Sequence, residues 1–133
     1  MARASSIPKL DPAAMPADLK LVILFGSQAK GCASPSSDWD LGVLFMPGIN
    51  DPLRDCRMDL PLAQALGVNS DAVDVVDLER ASYLLQGVVA QEGLPLFERE
   101  AGSFASFASR AHRQWADWSL RRQRLNPSKS GDQ

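Results

Sequence analysis

Leu19-Lys20-Leu21-Val22-Ile23-Leu24-Phe25-Gly26-Ser27 is the stretch that decides the fold. Seven residues rich in branched apolar side chains, stopped by a glycine, read as a buried strand. Ser27-Gln28-Ala29-Lys30 reads as the first turn of a short helix, ended by Gly31. Ten residues beyond Ser27 begins a second strand, 38–46 (Asp-Trp-Asp-Leu-Gly-Val-Leu-Phe-Met), closed by Pro47-Gly48. A strand that turns straight into a helix and is followed by another strand starts an α/β pattern.

The pattern continues in both directions. Pro8, Pro12 and Pro16 punctuate residues 1–16, which read as an extended arm with at most one helical turn near its end. Asp51-Pro52 opens a helix to about Leu66, and Pro61 inside it predicts a kink or split near Asp59. Val73 to Leu78 reads as a third strand, Glu79 to Gln91 as a helix stopped by Gly93, and Leu94 to Glu98 as a short edge strand. Phe104, Phe107, Ala111, Trp115, Trp118 and Leu125 recur at three-, four- and seven-residue intervals, which predicts a long amphipathic helix to about residue 125. The fold class expected is α/β: a small mixed β-sheet of about four strands, helices mainly on one face, and a long C-terminal helix. Residues 17–125 form the domain, 1–16 the arm and 126–133 a disordered polar tail.

A chain of 133 residues holds one core and has no room for a separate substrate-recognition domain. No apolar run is long enough to span a bilayer, and residues 1–16 lack the apolar centre of a secretory signal, so the expected location is the cytoplasm. Cys32 and Cys56 make no metal-ligand pattern and read as free thiols used in packing. Net charge is only −2, but it is unevenly spread. Residues 38–100 hold twelve Asp and Glu against four Arg, whereas 101–133 hold six Arg and Lys against two Asp. The basic end reads first as a solvated helix face and tail; contact with an acidic partner or RNA phosphates is the lesser reading.

Asp38 and Asp40, two apart in a strand, leave the same face of the sheet, while Trp39, Leu41, Val43 and Phe45 take the other. Gly42, next on the carboxylate face, reads as space for a nucleotide. Asp74, flanked by Val73, Val75 and Val76, reads as a buried carboxylate, costly without a function. If its strand pairs beside the second, three carboxylates converge and repel unless a cation sits among them. Magnesium suits oxygen ligands together with substrate phosphates, and two such ions can clamp an in-line displacement. Gly26 and Ser27, at a strand-to-helix turn, read as a phosphate seat, with Lys30 one turn on as a point charge for the same phosphates. The set Gly-Ser-x10-Asp-x-Asp matches by chance roughly once in several hundred chains of this size. Elsewhere, His112 reads as a solvated or interface side chain and Trp115 and Trp118 as core, in part a partner-binding face. Asp77 reads as a cap for the following helix and Tyr83 as packing.

Gly26-Ser27-Gln28-Ala29-Lys30-Gly31, Ser37-Asp38-Trp39-Asp40-Leu41 and Val73-Asp74-Val75-Val76-Asp77-Leu78 together resemble the minimal nucleotidyltransferases of the polymerase-beta-like superfamily. More narrowly, the chain is similar over residues 19–122 to the antitoxin subunits paired with helical HEPN ribonuclease toxins. The resemblance implies that Asp38, Asp40 and Asp74 are metal ligands and catalytic residues, with Asp74 helping to activate the acceptor hydroxyl. It also implies that Gly26 and Ser27 hold nucleotide phosphates. The activity expected is Mg-ATP-dependent transfer of AMP to a hydroxyl, a tyrosine of a partner HEPN toxin, with release of pyrophosphate. Two other readings stand beside it: an antitoxin that works by occlusion, and an enzyme that modifies a small molecule such as an aminoglycoside.

Overall fold

A computed structural model describes residues 8–31 and 38–125. The first part of the expected arm (1–7), the loop 32–37 with Cys32, and the expected disordered tail 126–133 lie outside the described residues.

Four strands build one sheet: β1 (Leu19–Phe25), β2 (Trp39–Phe45), β3 (Val73–Asp77) and β4 (Leu94–Glu98), in the spatial order β3-β2-β1-β4. β1 pairs antiparallel with β2 and with β4, while β3 runs parallel to β2. The sheet is therefore mixed, as expected. β1 is central, flanked on both edges and covered on both faces, and Leu21, Val22, Ile23 and Leu24 are wholly buried. An uninterrupted apolar run is what such a strand requires.

Among the described residues four α-helices complete the domain: α1 (Ser27–Lys30), α2 (Asp59–Leu66), α3 (Tyr83–Glu92) and α4 (Ser103–Leu125). The two longest, α3 and α4, cover one face through Val89, Ala90, Phe107 and Ala111, which pack on Leu21, Ile23, Phe25 and Leu44. The other face is closed by α2 (Leu62, Ala63) and by the arm, whose Leu10 and Met15 bury against Leu24, Val43 and Phe45. The arm is pinned by Leu10 N–H, which donates to the Leu96 carbonyl at 3.1 Å, and holds the single 3-10 turn Pro12–Ala14.

The helix expected from Asp51-Pro52 to about Leu66 is corrected to its second half, which starts at Asp59, where Pro61 was expected to split it. The segment after β2 begins with turns, passes through a 3-10 turn at Cys56–Met58, and becomes α-helical only at Asp59. Pro61 then falls in the first helical turn, where a backbone N–H has no intrahelical acceptor to lose. Three smaller expectations are corrected. α3 starts at Tyr83, not Glu79, because Ser82 caps it by accepting from Leu85 N–H at 3.1 Å. Tyr83, read as packing, is 45% exposed in that first turn. Cys56 is exposed rather than a packing residue.

Candidate active site

Gly26 joins β1 to α1 with φ 78° and ψ −157°, a backbone conformation open to glycine almost alone. Space adds a second demand. A Cβ on Gly26 would fall inside 3.0 Å of Asp40 Oδ2 and 3.2 Å from Asp40 Cγ. The chain turn after β1 therefore rests directly on the Asp40 carboxylate, consistent with the register that sets Phe25 opposite Asp40. Ser27 opens the four-residue helix, and Ala29 N–H and Lys30 N–H both turn back to the Gly26 carbonyl at 3.1 and 3.2 Å.

Asp40 and Asp74 are direct partners across the parallel β2–β3 pair, on strands about 4.8 Å apart. Asp38 precedes β2 two positions before Asp40 and shares its face. The pairing of Asp40 with Asp74 is thus present, with Asp38 two positions before Asp40 in the chain. Asp40 has its pKa raised, first by burial, then by the negative charges of Asp74 and Asp38. Asp59, at the start of α2, is raised in the same direction by burial and by the charges of Asp55 and Asp74. No described Lys or Arg forms an ion pair with Asp38, Asp40 or Asp74. Among the described residues, no group of three or more His, Cys, Asp or Glu side chains is placed to hold a metal ion. What exists is a pair of facing carboxylates, Asp40 and Asp74, with Asp38 near enough to add its charge, and no ion pair from a described cation offsets their repulsion. That suits magnesium, which typically takes one or two carboxylates and completes its shell with water and phosphate.

Three sequence readings change. Asp74 is exposed, because β3 is an edge strand with β2 as its one neighbour. The buried carboxylate of that strand is Asp77, which shares the inner face with Val73 and does not cap α3. It receives a two-pronged contact from the buried Arg54, Nε at 2.7 Å and Nη2 at 3.1 Å. Glu79 N–H also donates to it at 3.2 Å. Arg54 went unnoticed in the sequence; the signal was Asp77, in phase with Val73 and Val75 on a buried face and so in need of a cation. Finally, Gly42 makes room not for a nucleotide but for Leu78, whose side-chain carbons lie 3.0–3.1 Å from where a Cβ would sit. Lys30 is one turn from Gly26, as read, and pairs with Glu92 of α3 at 3.3 Å.

Glu92 also borders a groove of about 240 Å³ between α3 and α4, lined with Leu84, Gly87, Val88, Gln91, His112 and Trp115. Gly87 lets the Trp115 ring approach to 3.4 Å of its Cβ position, yet Trp115 stays 42% exposed. The tryptophan read as core is only half so. Among the described residues, no helix is long and apolar enough to cross a membrane.

Comparison with known proteins agrees with this geometry. Residues 10–101 match the family described as polymerase beta, nucleotidyltransferase. The chain is 35% identical over 98 residues to the protein adenylyltransferase MntA of Aphanizomenon flos-aquae, a match covering 69% of this chain and 65% of that relative's length. A toxin–antitoxin structure with AMP-PNP is similar at a TM-score of 0.68 and 28% identity, covering 89% of this chain and 90% of the other. The complex of a tri-AMPylated Shewanella oneidensis HEPN toxin with its MNT antitoxin is similar at a TM-score of 0.62 and 26% identity, with 97% of each chain covered. With its mixed sheet, its glycine turn seated on a strand carboxylate and a family match over most of its length, the chain belongs to the polymerase-beta nucleotidyltransferase family.

Proposed function

We propose that this protein is a Mg-ATP-dependent antitoxin that transfers AMP to a hydroxyl, a tyrosine, of a helical HEPN toxin and releases pyrophosphate. The observation that carries the reading is the register pairing of Asp40 with Asp74, on the face shared with Asp38 and beside Gly26 and Ser27. The similar proteins support its biological setting, since one is named a protein adenylyltransferase and another is complexed with a tri-AMPylated toxin.

In this reading Gly26 and Ser27 receive the triphosphate through their backbone and the Ser27 hydroxyl at the start of α1. Lys30 leaves Glu92 and supplies a positive charge to the same phosphates. Asp38, Asp40 and Asp74 would hold magnesium, two ions in this reading, which would neutralise charge on the phosphates and lower the barrier to displacement. The acceptor oxygen bonds to the α-phosphorus as the bond from that phosphorus to the bridging oxygen of pyrophosphate breaks. Asp74, exposed and free of any described cation, takes the hydroxyl proton. Little else is asked of the protein beyond orientation and charge.

The similar structures bear on the acceptor, since one is the complex of a tri-AMPylated toxin with its antitoxin, in which the labelled group belongs to a macromolecule. The exposed Leu84, Val88 and Trp115 are an apolar patch of the kind that marks protein contact.

Incubation of the protein, its partner and Mg-ATP, followed by intact-mass measurement of the partner, tests the reading. A gain of one or more AMP units is expected, and none with Asp38→Ala/Asp40→Ala. An equal gain with that variant refutes the assignment. The exposed groove gives one reason to keep an occlusion reading. Full protection of cells by the Asp38→Asn/Asp40→Asn/Asp74→Asn protein at normal abundance would favour it.

A further inference from the structure

We propose that Arg54 is a positioning residue for the third carboxylate: by gripping Asp77 it fixes the register of β3 on β2, and so the place of Asp74 opposite Asp40. The proposal rests on the reading of Asp74 as a participant in AMP transfer and adds what holds it there.

β3 is a five-residue edge strand with one neighbouring strand. Val73 is buried, Val75 and Val76 are only partly so, and Leu78 buries just beyond the strand. To these apolar contacts Arg54 adds a polar anchor on the inner face. Its guanidinium grips Asp77 with two nitrogens, donates to Glu79 and to the Ile49 carbonyl, and lies 4.5 Å from the centroid of the Phe45 ring. One side chain thus joins the end of β2, the turn after it, the end of β3 and the residue beyond. Both partners are more than nine-tenths buried.

Strand parity turns this grip into control of the site. Asp77 faces inward with Val73 and Val75, three positions from Asp74, so the two aspartates leave opposite faces. A slip of one residue would carry Asp77 to the other face, away from Arg54, and strand a buried charge. It would also take Asp74 off the face of Asp40. Holding Asp77 against Arg54 forbids both. The grip lies about 10 Å along the strand from Asp74, so Arg54 touches no reacting group and acts only through β3. A buried ion pair is a weak source of net stability but a well-attested way to fix register.

The test is a kinetic cycle on the protein with its partner toxin and Mg-ATP, using Arg54→Met, Asp74→Asn and the double variant. Each is assayed well below its own melting temperature. Arg54→Met is expected to lower kcat about 10- to 100-fold, the scale of an ångström-sized misplacement, while KM for ATP moves less than about twofold. Amide hydrogen exchange of Val73–Asp77 is expected to quicken. In the Asp74→Asn background, Arg54→Met is expected to cost nothing more, because its effect passes through Asp74. If Arg54→Met does not fold, Arg54→Lys replaces it; losing the two-pronged grip, it should fall between wild type and Asp74→Asn. Multiplying losses in the double variant, or an unchanged kcat in Arg54→Met beside an impaired Asp74→Asn, would overturn the proposal alone. Full activity of Asp74→Asn would overturn the reading beneath it.

Discussion

Replacing Gly26 by alanine should injure stability and chemistry at one stroke, and the structure sets the size of both. At φ 78° and ψ −157° a non-glycine residue is strained by about 1–3 kcal/mol. The new methyl would also meet the Asp40 carboxylate inside 3.0 Å. Asp40 must then leave its rotamer, adding about 0.5–1.5 kcal/mol. Restricting the unfolded chain returns about 0.4–1 kcal/mol. The net loss is about 0.5–4 kcal/mol. In a 133-residue domain each kcal/mol corresponds to about 3–4 °C, so melting should fall by about 2–16 °C. Thermal melts monitored by circular dichroism read this, and a double-variant cycle with Asp40→Ala separates the causes. On that background the collision is gone and only the backbone strain remains, so the penalty of Gly26→Ala should shrink by about 1 kcal/mol. AMP transfer should drop about a hundredfold in the single variant, since a carboxylate displaced by an ångström is no longer aligned. A Gly26→Ala protein that melts within about 1 °C of wild type, or the same penalty with and without the Asp40 carboxylate, would refute the reasoning.

Other outcomes follow from the same contacts. Arg54→Ala, which leaves Asp77 buried with only the outlying Arg80 at 3.5 Å, should cost about 3–5 kcal/mol by urea melts, whereas the paired change Arg54→Met/Asp77→Leu should be far milder. Asp40→Asn should raise the melting temperature of nucleotide-free, chelator-treated protein while abolishing AMP transfer, because it removes repulsion with Asp74 and Asp38. The pH sign follows: a carboxyl raised above its ordinary 3.8 in the folded state weakens folding at neutral pH. Its contribution therefore improves as pH falls through the raised value, and this component should vanish in Asp40→Asn melts. Ser82→Ala, removing the cap of α3, should cost about 1 kcal/mol by thermal melt without altering KM for ATP.

Much of this molecule is legible in its sequence because the central strands have a simple code. β1 reads as one apolar run since both its faces are covered, and Gly26, Gly31 and Pro61 each act where their backbone chemistry dictates. The Asp38–Asp40 pair is legible because two residues along a strand share a face whatever the neighbours do. Asp74 was singled out for a wrong reason. Three flanking valines suggested burial, but a strand at a sheet edge buries one face well and the other poorly, and sequence does not reveal which strand is the edge. The same uncertainty hid Arg54, since its partner lies 23 positions away and meets it only after β3 lies parallel to β2. Cys56, Tyr83 and Trp115 are of types that favour burial, and only the packed surface shows all three exposed; at Trp115 helices α3 and α4 leave a groove rather than a seal.

The outermost position of β3 has one further consequence. An acid on the last strand of a sheet is approached from the flank, not down a tunnel. A folded protein can slide its hydroxyl in sideways, keep its own shape, and withdraw once labelled. For a catalyst whose target is another macromolecule, an acid on the outer strand suits docking better than one in a deep cleft.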